Sequence, residues 1–399
     1  MIILQSCLCL HKLNKSYIWD VTNTNTPLME LLPPSPLCCL RFNPKSSETL
    51  VGGCLNGVIT YFDLRKPNAN AGRCRSWESS IIEKSHHDPV TDVHWVSSKT
   101  GHQCVSISTD GKMMWWDTRK LGEPVDSLVL SLDGKGEMIY GGSSLEYSTE
   151  AGPTKYLIGS EQGVVISVNL RNRKMNNGIT VYDSGPGKHH GAVYSIQRNP
   201  VHNKFFLTVG DWSARVWAED LKTPIITTKY HESYLTSGCW SPSRPGVVFV
   251  TRADGVLDVW DFYHGQNDVA YSHRIGNSVL SSIGVQDNGK LVAVGDVQGS
   301  VHLLELCDSL AQSRPNEKST INNIFERETK REKNLEIREK EMKRAKIIED
   351  ERVKPDASEK DIVQSEKLNA MLYKMEEDFK RLAGEQVNYE ETLDDIIIH

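Results

Sequence analysis

Residues 251–261, which read TRADGVLDVWD, contain the pattern that decides the fold. Asp254 followed by Gly255 is a tight-turn signal, because glycine adopts a positive φ without steric cost. An alternating run then follows and ends in Trp260 and Asp261, which is typical of a β-strand. The stretch therefore predicts a hairpin whose second strand ends in tryptophan.

The same pattern returns along residues 17–306. The aromatic endings are Trp19-Asp20, Phe62-Asp63, Trp116-Asp117, Trp217-Ala218 and Trp260-Asp261. The second residues of these pairs lie 43, 54, 101 and 43 residues apart, and the interval of 101 covers two units. Weaker copies at 164–167 and 301–304 bring the number of such strands to seven. A period of about 40–45 residues is typical of WD40 blades, so the sequence predicts an all-β, seven-bladed WD40 β-propeller.

The two ends of the chain depart from the repeat. We expect the first blade to be incomplete, because too few residues precede Trp19 for two strands and residues 2–10 can supply one. After residue 313 the composition changes, and 20 of the 29 residues in 326–354 are charged. The sequence therefore predicts a propeller over 1–312 with its first blade truncated at the N terminus, a charged helix over 313–354, and a second amphipathic helix with an acidic tail over 355–399.

The second of these helices is expected from about Asp361 to Ala383 and carries an apolar stripe at helical spacing. The stripe comprises Leu368, Met371, Leu372, Met375, Phe379 and Leu382. An apolar helix face needs a covering surface, so either a partner protein or the flank of the propeller should bind it.

Histidines upstream of several turns predict buried polar groups inside the blades. Each group would join a histidine, a turn aspartate and a strand tryptophan, and so satisfy hydrogen bonds in an apolar setting. The expected groups are His87 with Asp110 and Trp116, His190 with Asp211 and Trp217, and His231 with Asp254 and Trp260.

Composition and motifs argue against several function classes. The net charge of −6 gives no basic excess for binding nucleic acid or an anionic membrane, and no run of about 18 apolar residues occurs. Nine scattered cysteines without a CxxC pair are typical of a reducing cytosol. The pairs His86-His87 and His189-His190 have no further ligands at a metal-binding spacing. HExxH, GxSxG and kinase motifs are missing from the sequence, so we expect no catalytic, cofactor-binding or metal-binding residues, no cofactor and no enzyme activity.

The segment Trp116-Asp117-Thr118-Arg119 carries an alternative function. It resembles the WDxR box by which some WD40 proteins dock on the adaptor of a cullin-4 ubiquitin ligase. This resemblance implies a substrate receptor in which Arg119 contacts the adaptor. The purely structural alternative is that Arg119 is a surface cation near the end of a strand.

A second resemblance covers residues 16–345 and includes loop and linker residues that a blade does not dictate. Stretches of the chain resemble the axonemal outer-arm dynein intermediate chains, most of all intermediate chain 2. The longest are FLTVGDWSARVW at 206–217, RADGVLDVWDF at 252–262 and NIFERETKREK at 323–333; shorter ones lie at 16–20, 52–57, 108–111, 159–163, 189–191 and 234–236.

The resemblance implies a non-catalytic scaffold subunit of a ciliary motor, with ATP hydrolysis left to the heavy chain. Its propeller would bind a dynein heavy chain and a second dynein intermediate chain, with light chains as further candidate partners and microtubule doublets contacted indirectly. The implied location is the cytoplasm and cytoskeleton, in the axoneme of a cilium or flagellum. Members of this family carry a long N-terminal region, so this chain is expected to be N-terminally shortened.

Overall fold

The computed structural model describes residues 2–4, 15–23, 25–65, 73–131, 138–172, 178–182, 187–353 and 367–382. In these residues the strands are β1 Ile2–Leu4, β2 Ser16–Trp19, β3 Met29–Leu32, β4 Leu37–Asn43, β5 Ser46–Cys54, β6 Ile59–Asp63, β7 Arg73–Arg75, β8 Glu78–Ser79, β9 Val90–Trp95, β10 Gln103–Ser108, β11 Lys112–Asp117, β12 Asp126–Val129, β13 Gly142–Tyr147, β14 Lys155–Ser160, β15 Val165–Asn169, β16 Ile179–Tyr182, β17 Val193–Arg198, β18 Phe205–Gly210, β19 Ser213–Ala218, β20 Pro224–Thr227, β21 Leu235–Trp240, β22 Val247–Arg252, β23 Val256–Asp261, β24 Tyr271–Arg274, β25 Leu280–Val285, β26 Leu291–Asp296 and β27 Val301–Glu305. Short 3-10 helices span Ile82–Lys84 and Leu170–Asn172. The α-helices are α1 Asp308–Ala311, α2 Glu317–Val353 and α3 over residues 367–382.

These strands form seven sheets, and the predicted seven-bladed propeller is confirmed. Blade 1 contains β1, β2, β3 and β7, and blade 2 contains β4, β5, β6 and β8. Blades 3 to 6 each take four consecutive strands from β9 to β24, and blade 7 contains β25, β26 and β27. Apart from β3 and β7, which pair in parallel, neighbouring strands within each blade are antiparallel.

Both faces of a middle blade are buried, because each blade packs against the next one. All residues of β18 and β19 in blade 5 are buried, and their side chains form one apolar cluster with β22 and β23 of blade 6. Strands covered on both faces are near-continuously apolar, which explains the run FFLTVG at 205–210.

Two of the predicted turn glycines show why no other residue fits there. Gly57 has φ +82°, and a Cβ added to it would lie 2.0 Å from the backbone oxygen of His86. Gly163 has φ +80°, and its added Cβ would lie 2.2 Å from the oxygen of His189. A side chain at either position would be strained and would also collide with the loop that carries a blade histidine.

Hydroxyl groups connect the innermost strands of successive blades. Thr91 donates to the oxygen of Gly142 at 2.8 Å, Ser144 to that of Val193 at 2.9 Å, and Ser195 to that of Gly238 at 2.6 Å. The innermost strands of blades 2 to 7 line a central channel of about 450 Å³. These hydrogen bonds hold neighbouring blades in register around the channel.

Blade 1 departs from this plan, as expected from the sequence. Because β2 ends in Trp19-Asp20, it takes the third-strand position, and β1 pairs beside it in the second position. None of the described residues fills the innermost position of this blade. At its outer edge β7, from the loop between β6 and β8, pairs with β3, and Arg73 reaches Glu30 at 3.0 Å.

The chain divides into two compact units, Met1–Glu332 and Lys333–His399. The first contains the propeller and the first turns of α2. The second contains the remainder of α2 and α3. Along α2, Glu336 pairs with Lys340 and Glu339 with Lys343, which supports a solvated charged helix.

Candidate functional site

The first turns of α2 are embedded in the apolar core of blades 5 and 6. Ile321 and Phe325 are both fully buried and belong to the same cluster as β18 and β22. The ring of Phe325 lies 5.0 Å from that of Phe205 and 6.2 Å from those of Trp240 and Phe262. Edge-to-face contacts at these distances stabilise the fold beyond the contribution of the buried area. The start of α2 is therefore part of the propeller core.

A buried arginine holds the N-terminus of this helix. Arg244 is 0% exposed, and its Nε donates to both carboxylate oxygens of Glu317, at 2.9 and 3.1 Å. Its Nη1 donates to the oxygen of Ser309 at 2.9 Å, and its Nη2 lies 3.0 Å from Asp261 Oδ2. Burial alone would lower the pKa of Arg244, but Glu317 and Asp261 raise it. The charge is therefore retained inside the protein, where removal of a partner is costly.

Glu317 is placed for this role by its position in the helix. It is the first residue of α2 and also accepts a hydrogen bond from the backbone N–H of Arg314 at 2.9 Å. A carboxylate at a helix N-terminus is favoured by the helix dipole. Sequence reasoning missed Arg244 and Glu317, which are separated by 73 positions.

The predicted buried groups form in blades 3 and 5, but the predicted histidines are wrong by one residue. In blade 3 His86, not His87, is buried, and its Nδ1 lies 3.2 Å from Asp110. The hydroxyl of Ser106 lies 2.7 Å from His86 Nε2 and accepts from Trp116 Nε1 at 2.8 Å. His87 is exposed and contributes only its backbone N–H to Asp110.

Blade 5 repeats this arrangement with His189 in place of the predicted His190. His189 Nε2 lies 2.8 Å from the hydroxyl of Thr208, which accepts from Trp217 Nε1 at 2.8 Å. His189 Nδ1 lies 3.3 Å from Asp211. Burial would raise the pKa of Asp211, but His189, the N–H of His190 and Ser213 hold it well below its usual range. Both corrections have one cause: the loop directs the first histidine of each pair inward.

In blade 6 the predicted aspartate is wrong. His231 Nδ1 lies 2.7 Å from Asp258, whereas Asp254 is partly buried and binds Arg252. In blades 3 and 5 the hydroxyl residue lies two positions after the residue that pairs with the tryptophan. In blade 6 this position is occupied by Val250, which pairs with Asp258. Consequently His231 Nε2 and Trp260 Nε1 are buried and have no hydrogen-bond partner among the described residues.

Charged side chains line the central channel. Arg41 lies 3.3 Å from Asp92, and His94 lies 3.6 Å from the same carboxylate. Burial raises the pKa of the nearby Glu146 to about 7, although Arg41 and Arg198 act in the opposite direction. The channel thus contains a carboxyl group that titrates near neutrality.

Arg119 forms a local ion pair that also occurs in another blade. Its Nε and Nη2 donate to the two carboxylate oxygens of Asp117 at 3.0 and 2.6 Å. Arg65 binds Asp63 in the same way, at 2.9 Å for both bonds. The side chain of each arginine is 57% exposed. The position of Arg119 is therefore explained by blade geometry.

The described residues contain no cluster of three or more histidine, cysteine or acidic side chains suited to a metal ion. No helix among them is long and apolar enough to cross a membrane. The apolar stripe of α3 is 53–72% exposed.

Comparison with known proteins finds similar chains among the axonemal dynein intermediate chains. A profile described as the WD40 domain of dynein axonemal intermediate chain 3 matches residues 138–306. The chain is 46% identical over 334 residues to the 70 kDa intermediate chain of flagellar outer-arm dynein from Chlamydomonas reinhardtii, covering 83% of this chain and 57% of the relative. It is 48% identical over 331 residues to the ciliary dynein intermediate chain 3 of Heliocidaris crassispina, covering 82% and 54%. With human dynein axonemal intermediate chain 2 the identity is 47% over 331 residues, covering 82% and 53%.

The chain thus spans little more than half the length of these relatives. The match to the Chlamydomonas relative covers 334 residues, more than the propeller contains. It therefore extends into α2 and includes the turns of this helix that are buried in the propeller core. A blade pattern alone does not produce identity of this level over so long a stretch. Over 82–83% of its length the chain is homologous to axonemal dynein intermediate chains, which are WD40-repeat proteins.

Proposed function

We propose that the chain is a non-catalytic scaffold subunit of an axonemal outer-arm dynein, and that it binds a dynein heavy chain and a second dynein intermediate chain. It acts in the movement of cilia or flagella and resides in the axoneme. Light chains are further candidate partners, and contact with microtubule doublets is indirect. The observation that supports this most directly is the 46–48% identity to relatives named for the flagellar outer arm, the cilium and the axoneme.

The structure supports a scaffold role through the way its parts are joined. Blades 3 to 6 are connected around the channel by hydroxyl hydrogen bonds, and α2 begins inside the core of blades 5 and 6. A disc of this kind offers many loops as partner surfaces while its own shape is maintained. Obligate assemblies typically bury about 2,000 Å² or more of surface.

Immunoprecipitation of the chain from a salt extract of axonemes, followed by mass spectrometry, tests this proposal. Recovery of dynein heavy chains together with a second intermediate chain is the expected result. Recovery of a cullin adaptor without dynein chains would overturn it and favour the substrate-receptor alternative.

Arg119 separates the two functions, and Arg65 is its matched control, because both arginines make the same ion pair with an aspartate two residues earlier. A substrate receptor would lose its adaptor on Arg119→Ala and keep it on Arg65→Ala. The scaffold proposal expects both variants to retain the dynein chains.

A further inference from the structure

Helix α3 carries an apolar seam with the spacing of a coiled coil. The seam consists of Leu368, Leu372, Met375, Phe379 and Leu382, which are separated by 4, 3, 4 and 3 residues. This spacing places them at successive a and d positions of two heptads. All five are at least 53% exposed, and Phe379 reaches 72%. Five adjacent apolar side chains with this exposure mark an interaction site on a soluble helix.

The charged residues nearest to the seam are acidic on both sides. The nearest charged residue on one side is Glu376 at an e position, and on the other side it is Asp378 at a g position. The basic residues of α3 lie farther from the seam, at b and c positions; they are Lys367, Lys374, Lys380 and Arg381. Asp378 is 3.8 Å from Arg381, and both side chains are more than half exposed, so this contact neutralises little of its charge.

We propose that the seam binds a helix of a partner protein that has apolar residues at its a and d positions and lysine or arginine at its e and g positions. The e and g positions choose the partner of a coiled coil through ion pairs across the seam. A second copy of this chain would bring acidic flanks and could form no such pair with Glu376 or Asp378. A basic partner helix would form one on each side. The inference rests on the proposed function for the existence of a helical partner and adds the chemistry of its binding face.

The test uses the purified full chain and two synthetic helices as probes. Both probes have leucine at every a and d position; one has lysine at e and g, and the other has glutamate there. Fluorescence anisotropy should show the lysine probe binding at least about tenfold more tightly than the glutamate probe. High salt should reduce this difference, because the ion pairs lie at the rim of the seam.

Variants of the chain locate the binding site. Phe379→Asp and Leu372→Asp place a charge in the seam and should abolish binding of the lysine probe. Tyr373→Asp is the matched control, because Tyr373 is 67% exposed on the same helix but lies outside the seam. Changing Glu376 and Asp378 together to lysine should reverse the preference toward the glutamate probe.

Three results would overturn the proposal: equal affinity for both probes, binding that survives Phe379→Asp, or no binding of the lysine probe. Sedimentation of the chain alone tests whether a second copy of the chain covers the seam instead. A dimer that is lost in Phe379→Asp would show that a second copy covers the seam, and this result too would overturn the proposal. None of these measurements uses dynein, so failure here and failure of the axonemal assignment are distinguishable.

Discussion

Replacing Val250 by threonine should stabilise the protein, although the substitution puts a polar group into a buried strand. In blades 3 and 5 the hydroxyls of Ser106 and Thr208 lie between a histidine and a tryptophan, at 2.7–2.8 Å from each nitrogen. Val250 occupies the matching position in blade 6. Its threonine variant would accept from Trp260 Nε1 and donate to His231 Nε2, since His231 Nδ1 is engaged with Asp258.

The magnitude follows from the two buried nitrogen atoms. A buried polar group without a partner costs about 1–3 kcal/mol, so two new hydrogen bonds remove roughly 2–6 kcal/mol of penalty. Against this, exchanging a buried methyl for a hydroxyl loses roughly 1 kcal/mol of apolar burial and costs about 1–3 kcal/mol of desolvation. We expect a net gain of about 1–2 kcal/mol in the free energy of unfolding. For a unit of 332 residues that corresponds to a rise in Tm of about 1.5–3 °C.

Two further variants make the measurement decisive. Val216→Thr introduces the same change at an equally buried valine and should lower Tm, because the residues paired with it across the sheet, Leu207 and Ile226, are apolar. Thr208→Val in blade 5 should cost about 2–4 kcal/mol, since it leaves the nitrogen atoms of His189 and Trp217 unpaired. Calorimetry of the three variants gives the comparison. The reasoning is refuted if Val250→Thr lowers Tm as much as Val216→Thr does.

Two other predictions concern buried charges. Glu317→Ala should lower the free energy of unfolding by about 3–5 kcal/mol in urea titrations, because it removes one of the two carboxylates that face the buried Arg244. The control Glu326→Ala removes a side chain that is 37% exposed, and a change above about 1 kcal/mol there would contradict the distinction between buried and exposed pairs. Glu146→Gln should stabilise the protein by about 1–3 kcal/mol at pH 8 and leave it unchanged at pH 4. The folded pKa of Glu146, about 7, is above its usual 4.5, so the folded state favours the neutral form and loses stability as pH rises through 7; equal effects at both pH values would contradict this.

The sequence predicts the repeated elements of this fold better than the contacts between them. Turn glycines and terminal tryptophans are local signals, and they placed seven blades correctly. Two adjacent histidines such as His86 and His87 look equivalent in a sequence, and only the path of the loop decides which is buried. Asp258 could be identified only from its contact with His231, 27 positions earlier in the chain. The pairing of β22 with β23 then places Val250, which has no hydroxyl, beside this pair.

The anchor of α2 could not be predicted for a different reason. Arg244 lies in a turn of blade 6 and reads as an ordinary surface cation, whereas Glu317 opens a segment rich in charge. Their pairing depends on the return of the chain from blade 7 to blades 5 and 6. The same return of the chain brings Phe325 into the core, although a phenylalanine at the start of a charged helix signals burial of that turn.

Blade 7 should be the part of the propeller that opens most easily. Among the described residues its outermost strand β27 pairs on one side only, and none of its five residues is buried. The corresponding strand β19 of blade 5 pairs on both sides and all six of its residues are buried. Local opening requires little free energy where few buried contacts are lost, so the backbone amides of β27 that bond to β26 should exchange much faster than those of β19. Hydrogen exchange with mass spectrometry on the purified chain measures both strands together, and β23 of blade 6, paired on both sides, serves as a second reference. Equal protection of β27 and β19 would mean that blade 7 opens only with the whole ring, and that a three-stranded blade is held as firmly as the four-stranded ones.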